Sequence, residues 1–293
     1  MPSAREMRLR IRSVKNIAQV TRALEAVSAS KVRKAQQAVL ATRAYASKAQ
    51  EILADLSNQP GSPALLHPLL NSRDSVKAID LILITGDRGL AGAYNANIVR
   101  EAYGFARQQT VSVRWVTVGR KGRDLIFRRR GNIVSEFSHL PAATSALDIA
   151  PVARTVIDDF LSDTVDEVHV AYTNFVNTLK LVQTVTKLLP FTASEMKGHV
   201  GAKIPFIYEP SEGELLNVIV PRFAQLLILQ ATLESVASEH SARMVAMRNA
   251  TDNAETLIDT LTLDYNKARQ LAITSDLLDI AGGAEALAKS MKK

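Results

Sequence analysis

The chain contains no cysteine. Disulfides, thiolate metal sites and cysteine nucleophiles are therefore excluded, while the redox compartment is left open. Its five histidines, His67, His139, His169, His199 and His240, are scattered, with no HxxxH or similar spacing. No metal site is expected from them. Apolar runs such as 81–84 and 226–229 are short, whereas a bilayer-spanning helix needs about 20 apolar residues. Direct insertion into a bilayer is therefore not expected. No apolar stretch follows the first charged residue, Arg5, so no signal peptide is expected either. Proline and glycine are absent between Ser3 and Gln59, and nothing there interrupts a helix. No nucleophile–base–acid set is visible, so no catalytic residue, cofactor or enzyme activity is expected.

What the chain does have is periodicity. Leu226, Gln230, Leu233, Ala237, His240, Met244, Met247, Thr251, Ala254, Ile258, Leu261, Tyr265, Ala268, Ala272 and Ser275 alternate in steps of four and three. Eleven of these fifteen are apolar, a 3.5-residue repeat that marks a coiled-coil seam. The N-terminal segment answers with Val14, Ile17, Thr21, Leu24, Ser28, Val32, Ala35, Val39, Thr42, Ala46, Ala49, Leu53 and Leu56. Its one irregularity, Leu24 to Ser28 to Val32, reads as a stutter that locally unwinds the supercoil. At about 1.5 Å per residue the first helix would run roughly 80 Å and the second, over 221–280, roughly 90 Å. Two such helices at opposite ends of the chain fit an antiparallel rod. Pro221 predicts a kink or a helix start within the run that begins at Glu212.

Between the helices the signals alternate. Residues 58–75 are rich in Pro, Gly, Ser and Asn and read as a linker. Strand patterns follow at 78–85, 111–118, 132–137, 167–175 and 181–188, and helix patterns at 94–109, 120–130 and 144–163, with Pro151 near a turn or kink. The fold class expected is thus α/β: a small, Rossmann-like, three-layer domain with a mostly parallel sheet, plus a long antiparallel coiled coil made by the N- and C-terminal helices. The boundaries are 1–57 for the first helix, 58–75 for the linker, 76–205 for the α/β domain and 206–293 for the last helix.

The loop Gly86-Asp87-Arg88-Gly89-Leu90-Ala91-Gly92 invites a phosphate-binding reading. Its spacing is neither GxxxxGK[ST] nor GxGxxG, and a tight turn fixed by Asp87 and Arg88, or one that meets a neighbouring subunit, is the better expectation. The pair Asp158 and Asp159 is expected to be solvated. Charge is unevenly spread: residues 1–48 hold eleven Lys and Arg against two acids, +9 of a net +7, so the remainder sums to −2. Such a helix suits an acidic partner surface or nucleic acid. Against nucleic acid, its basic residues have one aromatic neighbour, Tyr45, and no reading helix is present.

Several segments resemble the gamma subunits of F-type ATP synthases. They are RIRSVKNI from Arg10, VTRALEAVSASK from Val20, GDRGLAGAYN from Gly86, SEHSARMVAM from Ser238, ATDNA from Ala250, YNKARQ from Tyr265 and ITSDLLDIAGGA from Ile273. They span both ends and the middle in the family's order. Asp276 stands where the family usually has Glu, and Ala91 where many members have Cys. The cysteine-bearing insert of chloroplast members is missing, so thiol regulation is not expected. No transit peptide precedes the first helix, which favours a bacterial protein at the cytoplasmic face of the cell membrane over an organellar precursor.

The resemblance implies a non-catalytic rotor. Its coiled coil would lie inside a ring of alpha and beta subunits, and its α/β domain would sit beside epsilon on the membrane c-ring. Carried over by position, Arg243, Gln270 and Thr274 would meet beta-subunit loops. Arg22, Lys31, Arg33 and Lys34 are candidates for the acidic loop of each beta subunit, from charge as much as from family. Tyr208 and Glu209 match the foot on the c-ring, although Tyr208 could equally serve local packing. No nucleic acid is expected among the partners; a basic coiled-coil nucleic-acid-binding protein is the alternative, and a nucleotide-dependent enzyme using the loop at 86–92 is a second rival.

Overall fold

The computed structural model describes residues 4–57, 67–73, 75–141, 143–191 and 212–291. Helix α1 (Ala4–Ser57) has no internal Gly or Pro, which lets it run unbroken. A short 3-10 turn, Pro68–Leu70, precedes an alternating series. The series is β1 (Ala78–Ile84), α2 (Tyr94–Gln108), β2 (Ser112–Val118), α3 (Arg120–Arg128), β3 (Ile133–Phe137), α4 (Ala146–Leu161), β4 (Glu167–Phe175) and β5 (Leu181–Leu189). The chain ends in α5 (Glu212–Ser290). These bounds follow the sequence pattern closely. Pro221 is an exception to the expectation, because α5 begins at Glu212 and continues through the proline. The proline is therefore not the helix start. Tyr208 and Glu209 lie outside the described residues.

The chain divides into two compact units: Met1–Val27 with Met244–Lys293, and Ser28–Arg243. The second holds one five-stranded sheet in the order β3-β2-β1-β4-β5. The first four strands are parallel and β5 is antiparallel to β4. Successive side chains of a strand point to opposite faces, and β1, buried on both, feeds two cores. Ile82 and Ile84 join Val116, Val118, the inner face of α4 and residues 216–231 of α5. Leu81 and Leu83 join Trp115, Ile98, Val99, Ala102 and Ile126 of the α2 and α3 layer. Helices on both faces of a mostly parallel sheet give the three-layer arrangement expected.

Polar groups fix the edges of this unit. The Ser145 backbone N–H donates to Asp148 Oδ2 at 2.8 Å and caps α4. Asp166 Oδ2 accepts from the backbone N–H of Lys77 at 2.6 Å and of Ala78 at 3.1 Å, so it holds the start of β1. Arg73 donates to Asp166 at 3.0 Å and to the Phe160 carbonyl at 2.6 Å. Beneath α4, Asp80 is fully buried with Arg114 Nε 3.0 Å away. Arg114 also pairs with Asp159, so Asp159 is half-buried and engaged rather than solvated; Asp158 is exposed, as expected.

Two further expectations change. The apolar runs of the sequence are short, yet α5 contains an 18-residue stretch that by length and composition alone could cross a membrane, 39% of it buried inside the protein. Run length misses it because single polar residues punctuate the stretch. The core accounts for that composition: Leu216, Val220, Phe223, Ala224, Ile228 and Ala231 are all buried against the sheet and α4. In α1 the expected positions Leu24, Ser28 and Val32 are all covered, with Glu25 half-buried beside Leu24, but Ile17 is not covered. Ile17 is 52% exposed, whereas Ala18 is 9% exposed. Among the covered positions, Met7, Ile11, Val14, Ala18, Thr21, Glu25, Ser28, Val32, Ala35 and Val39 form an unbroken alternation of four and three. Hydrophobicity favours Ile17 over Ala18, but the helix turns its small residue inward.

Candidate functional site: the helix pair and its clasp on the sheet

In the unit formed by Met1–Val27 and Met244–Lys293, α1 and α5 run antiparallel. Thr21 and Thr251 face each other with hydroxyls 2.7 Å apart. Arg248 Nε donates to Glu25 at 2.8 Å, and Arg22 pairs with Glu255 on the exposed flank. Along α5 the seam continues through Met247, Thr251 and Ala254, which are buried, to Ile258, Leu261, Tyr265 and Ala268, which are half-buried. Ala272 and Ser275, expected in the seam, are exposed. Counting equally from Thr21 and Thr251 brings Ala4 level with Ala268, so beyond that point the described part of α1 offers α5 nothing to pack on. Residues 271–284 are exposed on every side, Leu271, Ile273, Leu277, Leu278 and Ile280 among them.

In the unit Ser28–Arg243, α5 does something the heptad pattern did not announce. The strand order reverses between β1 and β4, and a crevice at such a reversal usually receives a ligand. Here α5 fills it. The pairing of β1 with β4 ends at Leu83 opposite Ala171, and the overhang of β4 is taken up by a stripe of serines. The Thr173 N–H donates to Ser235 Oγ at 3.2 Å, Ser238 Oγ donates to the Thr173 carbonyl at 3.1 Å, and Ser241 Oγ donates to the Thr178 carbonyl at 2.8 Å. Tyr94 OH donates to the Ser235 carbonyl at 3.1 Å, and burial pushes its phenol far above the usual range.

From the other helix, Arg43 reaches the same place. Its Nε donates to Glu234 Oε1 at 2.9 Å, and its Nη2 donates to Asn174 Oδ1 at 3.2 Å and to the Phe175 carbonyl at 2.8 Å. Glu234 is 2% exposed and also accepts from Gln230 at 3.1 Å. Around them Ala35, Val39, Phe175, Leu233 and Ala237 form a small apolar cluster.

The loop at 86–92 is bound into this clasp. Asp87 accepts from the backbone N–H of Arg120 at 3.0 Å and of His139 at 2.9 Å, so it fixes the turn. The next two N–H groups of α3 are also taken, Lys121 by the Gly86 carbonyl at 3.1 Å and Gly122 by Thr85 Oγ1 at 2.8 Å. A carboxyl stands over the loop as well, because a Cβ added at Gly86 would meet Glu239 at 2.7 Å. Close packing also explains Gly119: at φ 102°, an added Cβ would lie 2.2 Å from the Thr85 carbonyl oxygen. The loop is thus packed as a joint against the start of α3 and against α5.

Arg243 belongs to this joint. It donates to the Gly89 carbonyl at 3.3 Å and 3.2 Å and pairs with Glu239. His240, beside it, is lowered to about 4 by burial, with Arg243 and Lys31 adding to the effect. Arg22, Lys31, Arg33 and Lys34 are exposed on α1, and Gln270 and Thr274 are exposed one turn apart on α5. Sequence reasoning passed over Arg43, Glu234 and the serine stripe. The stripe is visible as serines at every third position, 235, 238 and 241, although Glu239 and His240 lie among them; Arg43 was hidden among ten other basic residues of the same helix.

The family model for ATP synthase matches residues 3–287. A gamma chain from Dehalococcoides mccartyi is 49% identical, with 98% of this chain and 100% of the relative covered. The chain belongs to the ATP synthase gamma-chain family. The gamma chain of Roseiflexus castenholzii is 47% identical, with 99% and 100% covered. A rotor chain in the mitochondrial ATP synthase of Euglena gracilis, solved with OSCP, F1 and the c-ring, shares the fold at TM-score 0.67 and 20% identity, over 99% of this chain and 96% of that one. The Tetrahymena thermophila central-stalk and c-ring structure matches at TM-score 0.61 and 24% identity, over 79% and 99%. A gamma chain is the non-catalytic, central-stalk rotor subunit of a membrane-associated complex.

Proposed function

We propose that this chain is the axle that couples proton flow through a membrane c-ring to ATP synthesis or hydrolysis in a ring of alpha and beta subunits, with epsilon beside its α/β domain. Each orientation of the axle makes different contacts with the three beta subunits, and only such a difference can shift their conformational equilibria. The observation that carries this reading is the bare end of α5. Leu271, Ile273, Leu277, Leu278 and Ile280 are each at least half exposed, and contiguous exposed apolar surface marks an interaction site. An apolar sleeve formed by the alpha and beta subunits fits it.

Gln270 and Thr274 lie at the root of that end and are assigned to beta-subunit loops. Arg22, Lys31, Arg33 and Lys34 present cations along α1 to acidic loops of the same subunits. Arg243, held by Glu239 and Gly89, is assigned to the same set of contacts from a fixed position. Tyr208 and Glu209 are assigned to the c-ring. Family and charge support the cytoplasmic face of a bacterial cell membrane as the location.

Purification of the tagged chain from gently solubilised membranes tests the reading. An alpha and beta ring with Mg-ATPase activity should accompany it; recovery of the chain alone, or with nucleic acid, would overturn it. The basic patch has its own test. Reversing Arg33 and Lys34 together to Glu should lower ATP-driven proton pumping with little change in thermal stability, because both side chains are exposed. Unchanged pumping removes them from the contact.

A further inference from the structure

We infer that Arg43 is a positioning residue for coupling: it holds α1 in register with α5 and with the overhang of β4, so that both helices turn as one when the sheet is driven. The inference rests on the rotor reading above. Arg43 lies on α1, Glu234 on α5, and Asn174 and Phe175 at the end of β4, and one guanidinium bonds to all of them. Its planar fork of five donors suits such a three-way contact, which a lysine cannot reproduce.

Three features separate this pair from an ordinary surface ion pair. Glu234 is almost fully buried, its Oε2 has no hydrogen-bond partner among the described residues, and Tyr172 beside it is pushed up to about 12, first by burial and then by the Glu234 charge. A buried carboxylate so placed depends on Arg43 for its charge balance. Second, α5 is tied to β4 and its following turn independently of Arg43, by Ser235, Ser238 and Ser241. Third, the α1 side chains packed around this pair are apolar: Ala35 and Val39 lie against Phe175, Leu233 and Ala237. Small apolar contacts are non-directional and resist sliding along a seam poorly. Arg43 supplies directional bonds from α1 to the end of β4. Farther along, Thr21 with Thr251 and the pairs of Arg22 with Glu255 and of Arg248 with Glu25 also tie α1 to α5, but none of them reaches β4. Loss of the Arg43 fork should therefore let the Arg43 end of α1 shift while α5 stays clasped, the shifted population rising about tenfold for each charge-assisted bond lost.

The test uses the assembled complex. Arg43→Gln strands Glu234 and risks misfolding, so the informative variant is Arg43→Lys, which keeps a cation beside Glu234 but loses the fork. Because the natural chain has no cysteine, Thr21→Cys with Thr251→Cys supplies the only thiols of the chain, at side chains whose hydroxyls are 2.7 Å apart. Closing that pair with diamide locks the register of α1 on α5. Arg43→Lys should hydrolyse ATP at the normal rate but pump several-fold fewer protons per ATP, and oxidation of the cysteine pair should restore pumping. With Arg43→Lys added, the double-cysteine chain should also form its disulfide more slowly than the double-cysteine parent, a readout independent of pumping. Normal pumping by Arg43→Lys, or a loss that oxidation leaves in place, overturns the inference. Failure of the parent complex to pump would instead overturn the rotor reading.

Discussion

One helix, α5, lives in two environments. Residues 231–235 are buried in succession, and at 237, 238 and 241 it is covered again. Residues 271–284 are exposed throughout. Both stretches carry large apolar side chains, Leu233 and Val236 in the first and Leu271, Ile273, Leu277, Leu278 and Ile280 in the second. The inner stretch is wedged between α1 and the end of β4, and its serines satisfy the overhang of β4; among the described residues the outer one packs on nothing. The difference shows that an apolar helix face states a need for burial without saying who will meet it. In the inner stretch the chain meets its own need. At the end a partner has to.

Substitutions that separate folding from assembly sharpen this contrast. The largest effect on stability is expected at Ile228, fully buried in the larger core. Ile228→Ala should cost about 2–5 kcal/mol of unfolding free energy, read from urea denaturation of the purified chain. A loss below about 1 kcal/mol would mean that α5 is not integral to the α/β core. The variant should reach the complex in reduced amounts because less of it folds, and whatever assembles should couple normally.

A smaller effect, tuned by pH, is expected from the group beneath α4. Asp80 is pushed up to about 7, first by burial, with Arg114 opposing and Asp159 adding to the rise. A carboxyl whose folded pKa is raised binds its proton more tightly when folded. It costs nothing below its ordinary value near 4, and the folded state loses stability as pH climbs from there to about 7. Asp80→Asn should flatten that part of the stability profile, measured by thermal melts across the range. A profile in Asp80→Asn as steep as the parent's would assign the slope to other groups.

Much of this was legible in the sequence. Strand and helix bounds in 78–189 came from period and turn residues, because each element there buries a face on its immediate neighbours. The seam of α5 beyond Met247 was legible down to Ala268 for the same reason. Other features depended on partners distant in sequence. Ala18 replaces Ile17 on the inward face although it is the less hydrophobic residue, so hydrophobicity alone did not choose the phase of the seam. Asp159 looked solvated because its partner, Arg114, lies 45 residues away. Arg43 was read only as part of a positive charge run, since nothing local distinguishes a cation that meets a buried Glu234 from one that meets water.

The smallest expected effect on folding is the one that would most damage the contrast if absent. Leu277→Ala removes an exposed side chain, 62% accessible, from a helix whose neighbours at that point are solvent. Alanine is the better helix former, so the stability of the isolated chain should change by less than about 0.5 kcal/mol. In the complex, the same substitution strips apolar area from the face assigned to the alpha and beta sleeve. Burying a leucine side chain is worth roughly 1.5–3 kcal/mol, so each rotor should be held less tightly, and dissociation of the ring from the stalk should quicken. Comparing urea midpoints of the isolated chain with the off-rate of the ring separates the two. If Leu277→Ala destabilises the chain as much as Ile228→Ala does, the end of α5 is packed within the chain itself, and the two environments of this helix are one.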